Sequence, residues 1–351
     1  MPHPPTSSVR SPLHVGVIGV GRIGAFHART LAQLDGVHAI TLCDADEGRA
    51  RELARSLGAG YAATPEQLVA RGVDALVIAT STPSHAPMLR LAAAAGLPAF
   101  CEKPIGLDLE TVVAIEGEVE RAGILVQVGF QRRFDAGYRA AADAISAGAL
   151  GNLLVLRLAT HDPSPPPEAY IASSGGIFRD LHIHDFDVVR FVTGQEVVDV
   201  YADGAVQETA WFGDHGDVDV AVAVLRLSGG ALAVLTGTRH DPLGYDVRLE
   251  AFGTRDSIAV GVDARSPLRS LEPDLPGYHE DGYRDFMDRF EPAYRAELES
   301  FVATVRGVAR TPCSLAEARA AMQIALAADR SRAERRPVPI DEIARTSAVA
   351  G

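Results

Sequence analysis

Apolar residues fall in short continuous runs through roughly the first third of the chain and in alternation after residue 152. The change of rhythm divides the sequence. From Leu13 the chain alternates briefly and then runs apolar through Val15, Val17, Ile18 and Val20, the pattern of a strand buried on both faces. Similar runs recur at residues 39–43, 74–79, 98–101 and 125–130. Helical spacing lies between them at 25–34 and 86–95, and in a helix capped by Asp108. Thr64-Pro65-Glu66-Gln67 reads as an N-cap, a proline in the first helical position and a capping-box glutamine. Strands alternating with helices predict a parallel sheet. A helix reaching Ala147 and a Gly148/Gly151 turn lead into the second half. There, residues 152–160, 197–202, 218–227, 231–238, 247–252 and 257–262 read as strands of a mostly antiparallel open sheet, followed by amphipathic helices at 293–308 and 314–332. The expected class is α/β plus α+β. The expected divisions are a Pro/Ser-rich disordered tail over 1–12, a nucleotide domain over 13–130 and a substrate-binding and oligomerisation domain over 131–351. The stretch 266–277 is expected as an exposed loop.

Chemistry enters at the end of the first run. Gly19-Val20-Gly21-Arg22-Ile23-Gly24 follows the strand at once and opens a helix, and the second strand ends in Asp44. Strand, glycines, helix, strand and acid in that order form a dinucleotide fingerprint. Gly19 permits the tight turn, Gly21 lets a pyrophosphate approach the backbone, and Gly24 allows close helix–strand packing. Arg22 and Ile23 carry the helix N-terminus that faces the phosphates. Asp44 is placed to accept from the ribose hydroxyls and to repel a 2′-phosphate, which favours NAD over NADP; Arg49, five residues on, is the cation near enough to bear on that choice. Thr80, Ser81 and His85 lie in the loop beyond the fourth strand, placed for ribose or nicotinamide or for capping the next helix.

Cys101-Glu102-Lys103-Pro104 closes the fifth strand. Lys103 is the only lysine in 351 residues, against 32 arginines. A lysine is a compact charge that can shed its proton when desolvated, whereas arginine stays charged on a wide planar fork. A lone lysine at the carboxyl end of a strand, where ligands of such sheets bind, therefore reads as catalytic, with Glu102 beside the cofactor. The three cysteines, Cys43, Cys101 and Cys313, are widely spaced and form no metal cluster, so the chain reads as cytoplasmic with free thiols. The net charge of −13 argues against nucleic acid. No apolar run is long enough to cross a bilayer.

A second constellation lies in the antiparallel half. The stretch 177–192 has helical spacing, which puts Asp180 and His184 on one face and turns His182 away. A carboxylate one turn before a histidine can orient it and raise its basicity, as a general base needs. A surface ion pair or a buried structural histidine fits the same spacing. No third ligand follows for a metal.

Together these residues resemble the Gfo/Idh/MocA oxidoreductase family (glucose-fructose oxidoreductase, inositol dehydrogenase, rhizopine catabolism protein) over essentially the whole length. The resemblance rests on Gly19 to Gly24, Glu102-Lys103-Pro104, Gly129-Phe130-Gln131-Arg132-Arg133-Phe134-Asp135, and Gly175-Gly176 leading to Asp180 and His184. Within the family the likeness is to inositol 2-dehydrogenases. It implies a Rossmann domain, NAD, a catalytic triad of Lys103, Asp180 and His184, a cis bond at Lys103-Pro104, and Arg132 near nicotinamide and substrate, with Asp162 and Tyr245 also touching substrate. Thr160 and Asp162 stand where inositol enzymes often carry histidine and asparagine, and Leu243 stands in a Tyr-Gly-Tyr-Asp pattern. The implied activity is oxidation of a secondary hydroxyl of an inositol or related cyclic polyol. A pyranose dehydrogenase, a glycosidase using transiently reduced bound NAD, and a non-enzymatic NAD-binding regulator stand as alternatives. A homo-oligomer, dimer or tetramer, through the second sheet is also implied.

Overall fold

The computed structural model describes residues 11–273 and 281–349. Most of the expected tail and the last four residues of the expected 266–277 loop lie outside the described residues. The chain forms two compact units. The first runs to Gln131 and takes up Tyr294–Ala318; the second is Arg132–Ala293 together with the chain from Arg319. Residues 294–318 were expected in the second domain, and they belong with the first unit.

The first unit is built on β1 (Leu13–Ile18), β2 (Val37–Cys43), β3 (Gly60–Tyr61), β4 (Ala75–Ile78), β5 (Ala99–Glu102) and β6 (Val126–Gly129). Their order is β3-β2-β1-β4-β5-β6, parallel throughout. This is a doubly wound sheet whose strand order reverses between β1 and β4, the place where such sheets open a ligand crevice. The apolar runs are buried because helices cover both faces. Val15, Val17, Leu42, Val77 and Phe100 share one core with Leu298, Phe301, Val302 and Val305 of the helix Phe286–Val305. That helix begins seven residues before the expected 293. Pro292 lies inside it.

The second unit carries β7 (Leu153–His161), β8 (Val197–Ala205), β9 (Val220–Leu227), β10 (Leu232–Thr238), β11 (Asp246–Gly253), β12 (Ser257–Val260) and β13 (Val338–Pro339). The order is β12-β11-β7-β10-β9-β8-β13. Every pair is antiparallel except β7 with β10. Alternation decides the faces: Ala221, Ala223 and Leu225 of β9 are buried, while Val222, Val224 and Arg226 are exposed.

One expected element is corrected. Residues 177–192 do not form one continuous helix. A short helix Ile177–Asp180 gives way to Ile183–Thr193, with Leu181 and His182 between them. The backbone N–H of His182 reaches back five residues to the Ile177 carbonyl. Such a π-type turn inserts a residue and shifts the faces, so an uninterrupted i to i+4 relation between Asp180 and His184 does not hold.

Candidate active site

The glycine loop fits a dinucleotide. Gly19 has φ +89°, and a Cβ there would lie 2.6 Å from the Ala79 carbonyl of the strand across the switch point. A Cβ on Gly24 would collide with the Gly19 carbonyl, whereas one on Gly21 would meet nothing within 4 Å. Two glycines are thus demanded by packing, and the third leaves open the approach that a pyrophosphate needs. The helix Arg22–Leu31 starts from Gly21 with no side-chain cap, so its N-terminus presents backbone N–H groups where a phosphate would sit. Asp44 accepts from Val20 N at 2.6 Å and from Asp46 N at 2.8 Å, tying the loop to β2. Arg49 Nη1 stands 3.8 Å from the same carboxylate.

Beyond β5, Lys103 is half-buried and Glu102 is buried. The Lys103–Pro104 bond is cis. Glu102 does not face outward: its Oε1 lies 2.6 Å from Nε2 of the fully buried His27. His85 is buried too. Its Nδ1 lies 2.7 Å from the Pro104 carbonyl and its Nε2 3.0 Å from the Thr80 carbonyl, so both ring nitrogens address backbone. Burial pushes its pKa down, the two carbonyls pull it back up, and the net shift is downward. Thr80 is half-buried and Ser81 exposed at the mouth of this loop.

In the second unit the break at 181–182 organises a buried polar network. Arg132, 1 % exposed, donates to Asp185 Oδ1 and to Thr160 Oγ1. His182 Nδ1 lies 2.8 Å from Asp185 Oδ2. Burial would push the Asp185 carboxyl up, but Arg132, His182 and Thr160 hold it below its ordinary value. Tyr245 is buried close to Arg132, and burial raises its phenol. A separate array surrounds Asp180. Tyr170 donates to its Oδ1 at 2.7 Å, and Arg239 donates to its Oδ2 at 2.8 Å while also donating to Asp162 Oδ2 at 2.9 Å. His184 is half-buried in the first turn of Ile183–Thr193. No group of three or more metal-ligating side chains occurs among the described residues.

The sequence matches an oxidoreductase family with an NAD-binding Rossmann fold over residues 13–130, and the GFO/IDH/MocA C-terminal domain over residues 138–259. The chain belongs to the Gfo/Idh/MocA oxidoreductase family. It is 40% identical to the myo-inositol dehydrogenase Hyg17 of Streptomyces leeuwenhoekii, over 90% of this chain and 96% of that protein. It is 36% identical to the myo-inositol 2-dehydrogenase of Thermotoga maritima, over 94% and 99%. A crystal structure of a probable dehydrogenase from Thermotoga maritima superposes with a TM-score of 0.88 at 35% identity, over 94% of this chain and all of that one.

This Gfo/Idh/MocA oxidoreductase binds NAD, and the expected residues divide accordingly. Gly19, Gly21, Arg22, Ile23, Gly24 and Asp44 lie together at the carboxyl ends of β1 and β2, with Thr80, Ser81 and His85 past β4, Glu102 at the end of β5 and Lys103 just past it. In the second unit the structure joins Asp180 to Asp162 and Arg132 to the surroundings of Tyr245. The sequence reading missed Arg239, Tyr170 and Asp185. Arg239 could have been suspected as a charged residue directly after an apolar strand. Its partner became visible only with the parallel pairing of β7 and β10.

Proposed function

We propose that the enzyme oxidises a secondary ring hydroxyl of myo-inositol or a related inositol to the ketone, with Lys103, Asp180 and His184 as its catalytic residues. The likeness to two myo-inositol dehydrogenases over nine-tenths or more of every chain concerned carries this reading. NAD, held by Gly19 to Gly24 and Asp44, supplies the hydride acceptor. The remaining work falls to side chains. A secondary alcohol holds its proton tightly, so negative charge must be stabilised on oxygen as hydride leaves carbon. In this reading Lys103 lends its cation to that oxygen, an electrostatic effect strongest in a water-poor site. His184 takes the hydroxyl proton, and Asp180 binds a substrate hydroxyl as a carboxylate acceptor.

The test is a screen of the purified protein with NAD against inositol isomers and common hexoses, following net NADH formation. An inositol should give the highest kcat/KM. A hexose preference would move the substrate assignment, and turnover of a glycoside without NADH accumulation would replace it with hydrolysis. Lys103→Arg keeps the charge and changes its shape, so it should be nearly as inactive as Lys103→Met. General-base contributions are about 10²–10⁴-fold, so His184→Ala should lose at least the lower figure in kcat while NAD still binds. Near-native turnover by Lys103→Arg would remove Lys103 from the mechanism.

A further inference from the structure

Arg239 belongs to no part of the mechanism just described, yet its setting is built with care. In the parallel pair β7–β10, Thr160 stands opposite Gly237 and His161 opposite Thr238. The residues just beyond, Asp162 and Arg239, therefore leave the sheet side by side. Backbone bonds fix the exits: Asp162 N donates to the Thr238 carbonyl and Arg239 N to the Asp219 carbonyl. The guanidinium is 4 % exposed and divides its fork, Nη1 to Asp162 and Nη2 to Asp180. Asp180 is itself buried, and its other oxygen accepts from the Tyr170 hydroxyl on the helix Glu168–Ser174.

A carboxylate in such a place needs a fixed counter-charge to remain ionised, because burial alone favours the protonated form. The groups around it include Tyr170, a neutral donor; Arg239, a cation in direct contact; and Asp162, a second acid beyond the guanidinium. A guanidinium presents rigid, divergent N–H groups and can hold two carboxylates at set angles, which an ammonium cannot do in the same way. We propose that Arg239 is the positioning residue for Asp180: it keeps that carboxylate ionised and fixes its orientation, while Asp162 anchors the guanidinium from the far side. The proposal deepens the dehydrogenase reading and rests on it for the role of Asp180 in turnover. Its electrostatic half concerns the protein alone.

Both halves can be measured. In protein carrying ¹³C-labelled aspartate side chains, the Asp180 carboxyl signal is assigned by its loss in Asp180→Asn and titrated in wild type, Arg239→Gln and Arg239→Lys. Wild type should hold Asp180 ionised through the ordinary carboxylate range. Arg239→Gln should raise its titration midpoint by at least about one pH unit, a tenfold change in proton affinity. Arg239→Lys should leave it ionised. With NAD and the best polyol from the screen, Arg239→Gln should lower kcat at least about tenfold with the acid limb of its pH profile moved upward. Arg239→Lys should lower kcat without moving that limb, since charge is kept and orientation is lost. NAD affinity should stay constant in both. An unchanged Asp180 titration in Arg239→Gln would overturn the electrostatic half, and full activity of Arg239→Lys the orienting half; if Arg239→Gln does not fold, the lysine variant still decides the second. Absence of polyol turnover in wild type would strike the functional reading, and the titration would still test the ionisation of Asp180.

Discussion

Arg49 stands within 3.8 Å of Asp44 and 3.4 Å of Asp46, closer to the acid expected to meet the ribose than its separation in sequence requires. At effective dielectric constants near 20, two unit charges about 4 Å apart interact by roughly 4 kcal/mol. That figure is an upper bound here, because Arg49 is half exposed and solvent screens it. In the proposed reading Asp44 would repel a 2′-phosphate and at the same time engage the cation that could neutralise one. Asp44→Ser removes both effects without adding an arginine. The ratio of kcat/KM for NAD over NADP should fall at least about tenfold, equivalent to about 1.4 kcal/mol. An unchanged ratio would show that Asp44 does not set cofactor choice. Residues of this kind were legible because their chemistry is local: a glycine that must turn, an acid closing a strand, a lysine kept where all other basic residues are arginine. Arg239 was not, since its partner Asp162 lies 77 residues away.

At the scale of elements, periodicity carried the strands and most helices because burial on one or both faces leaves its period in the side chains. It failed where a local contact overrides the period. The break at 181–182 depends on a five-residue backbone bond and on the His182 ring meeting Asp185, and neither follows from spacing. Spacing also says nothing about a helix's partner, which is why the 294–318 segment was assigned to the wrong unit. The loop element after β4 gives a pH prediction. His85 joins the Thr80 carbonyl to the Pro104 carbonyl, and a neutral ring can donate to only one of them. Its pKa lies below the ordinary 6.5. As pH falls through 6.5 the unfolded chain takes up a proton that the folded chain still refuses, so stability is lost on the acid side until the lowered value is passed. Each unit of such a shift is worth about 1.4 kcal/mol. His85→Gln should therefore show a shallower fall of Tm between neutral and mildly acid pH than wild type. Parallel curves would assign the acid loss to other groups, such as His14, whose pKa burial also lowers.

At the scale of the whole molecule, the second sheet leaves an outward face that the described residues do not cover. Tyr201, Val224 and Val234 stand side by side across β8, β9 and β10, and Val222 flanks them; all four are more than a third exposed. The row continues into Arg157, paired with Glu250, and Arg226 pairs with Asp199 one row away. An apolar centre with a rim of both charge signs is unusual on a monomer's surface and suits burial against another protein. We propose a second copy as the occupant: a two-fold contact would set one patch against itself, so valines meet valines and each rim can supply both acid and base. Val224→Lys together with Val234→Lys would place two ammonium groups per subunit in that contact, next to their counterparts across the axis. Wild type should sediment as a dimer or a larger even assembly, and the double variant as a monomer with unchanged NAD affinity, since the nucleotide residues all lie in the first unit. Equal sedimentation of the two proteins would show that the valine face is not where the copies meet.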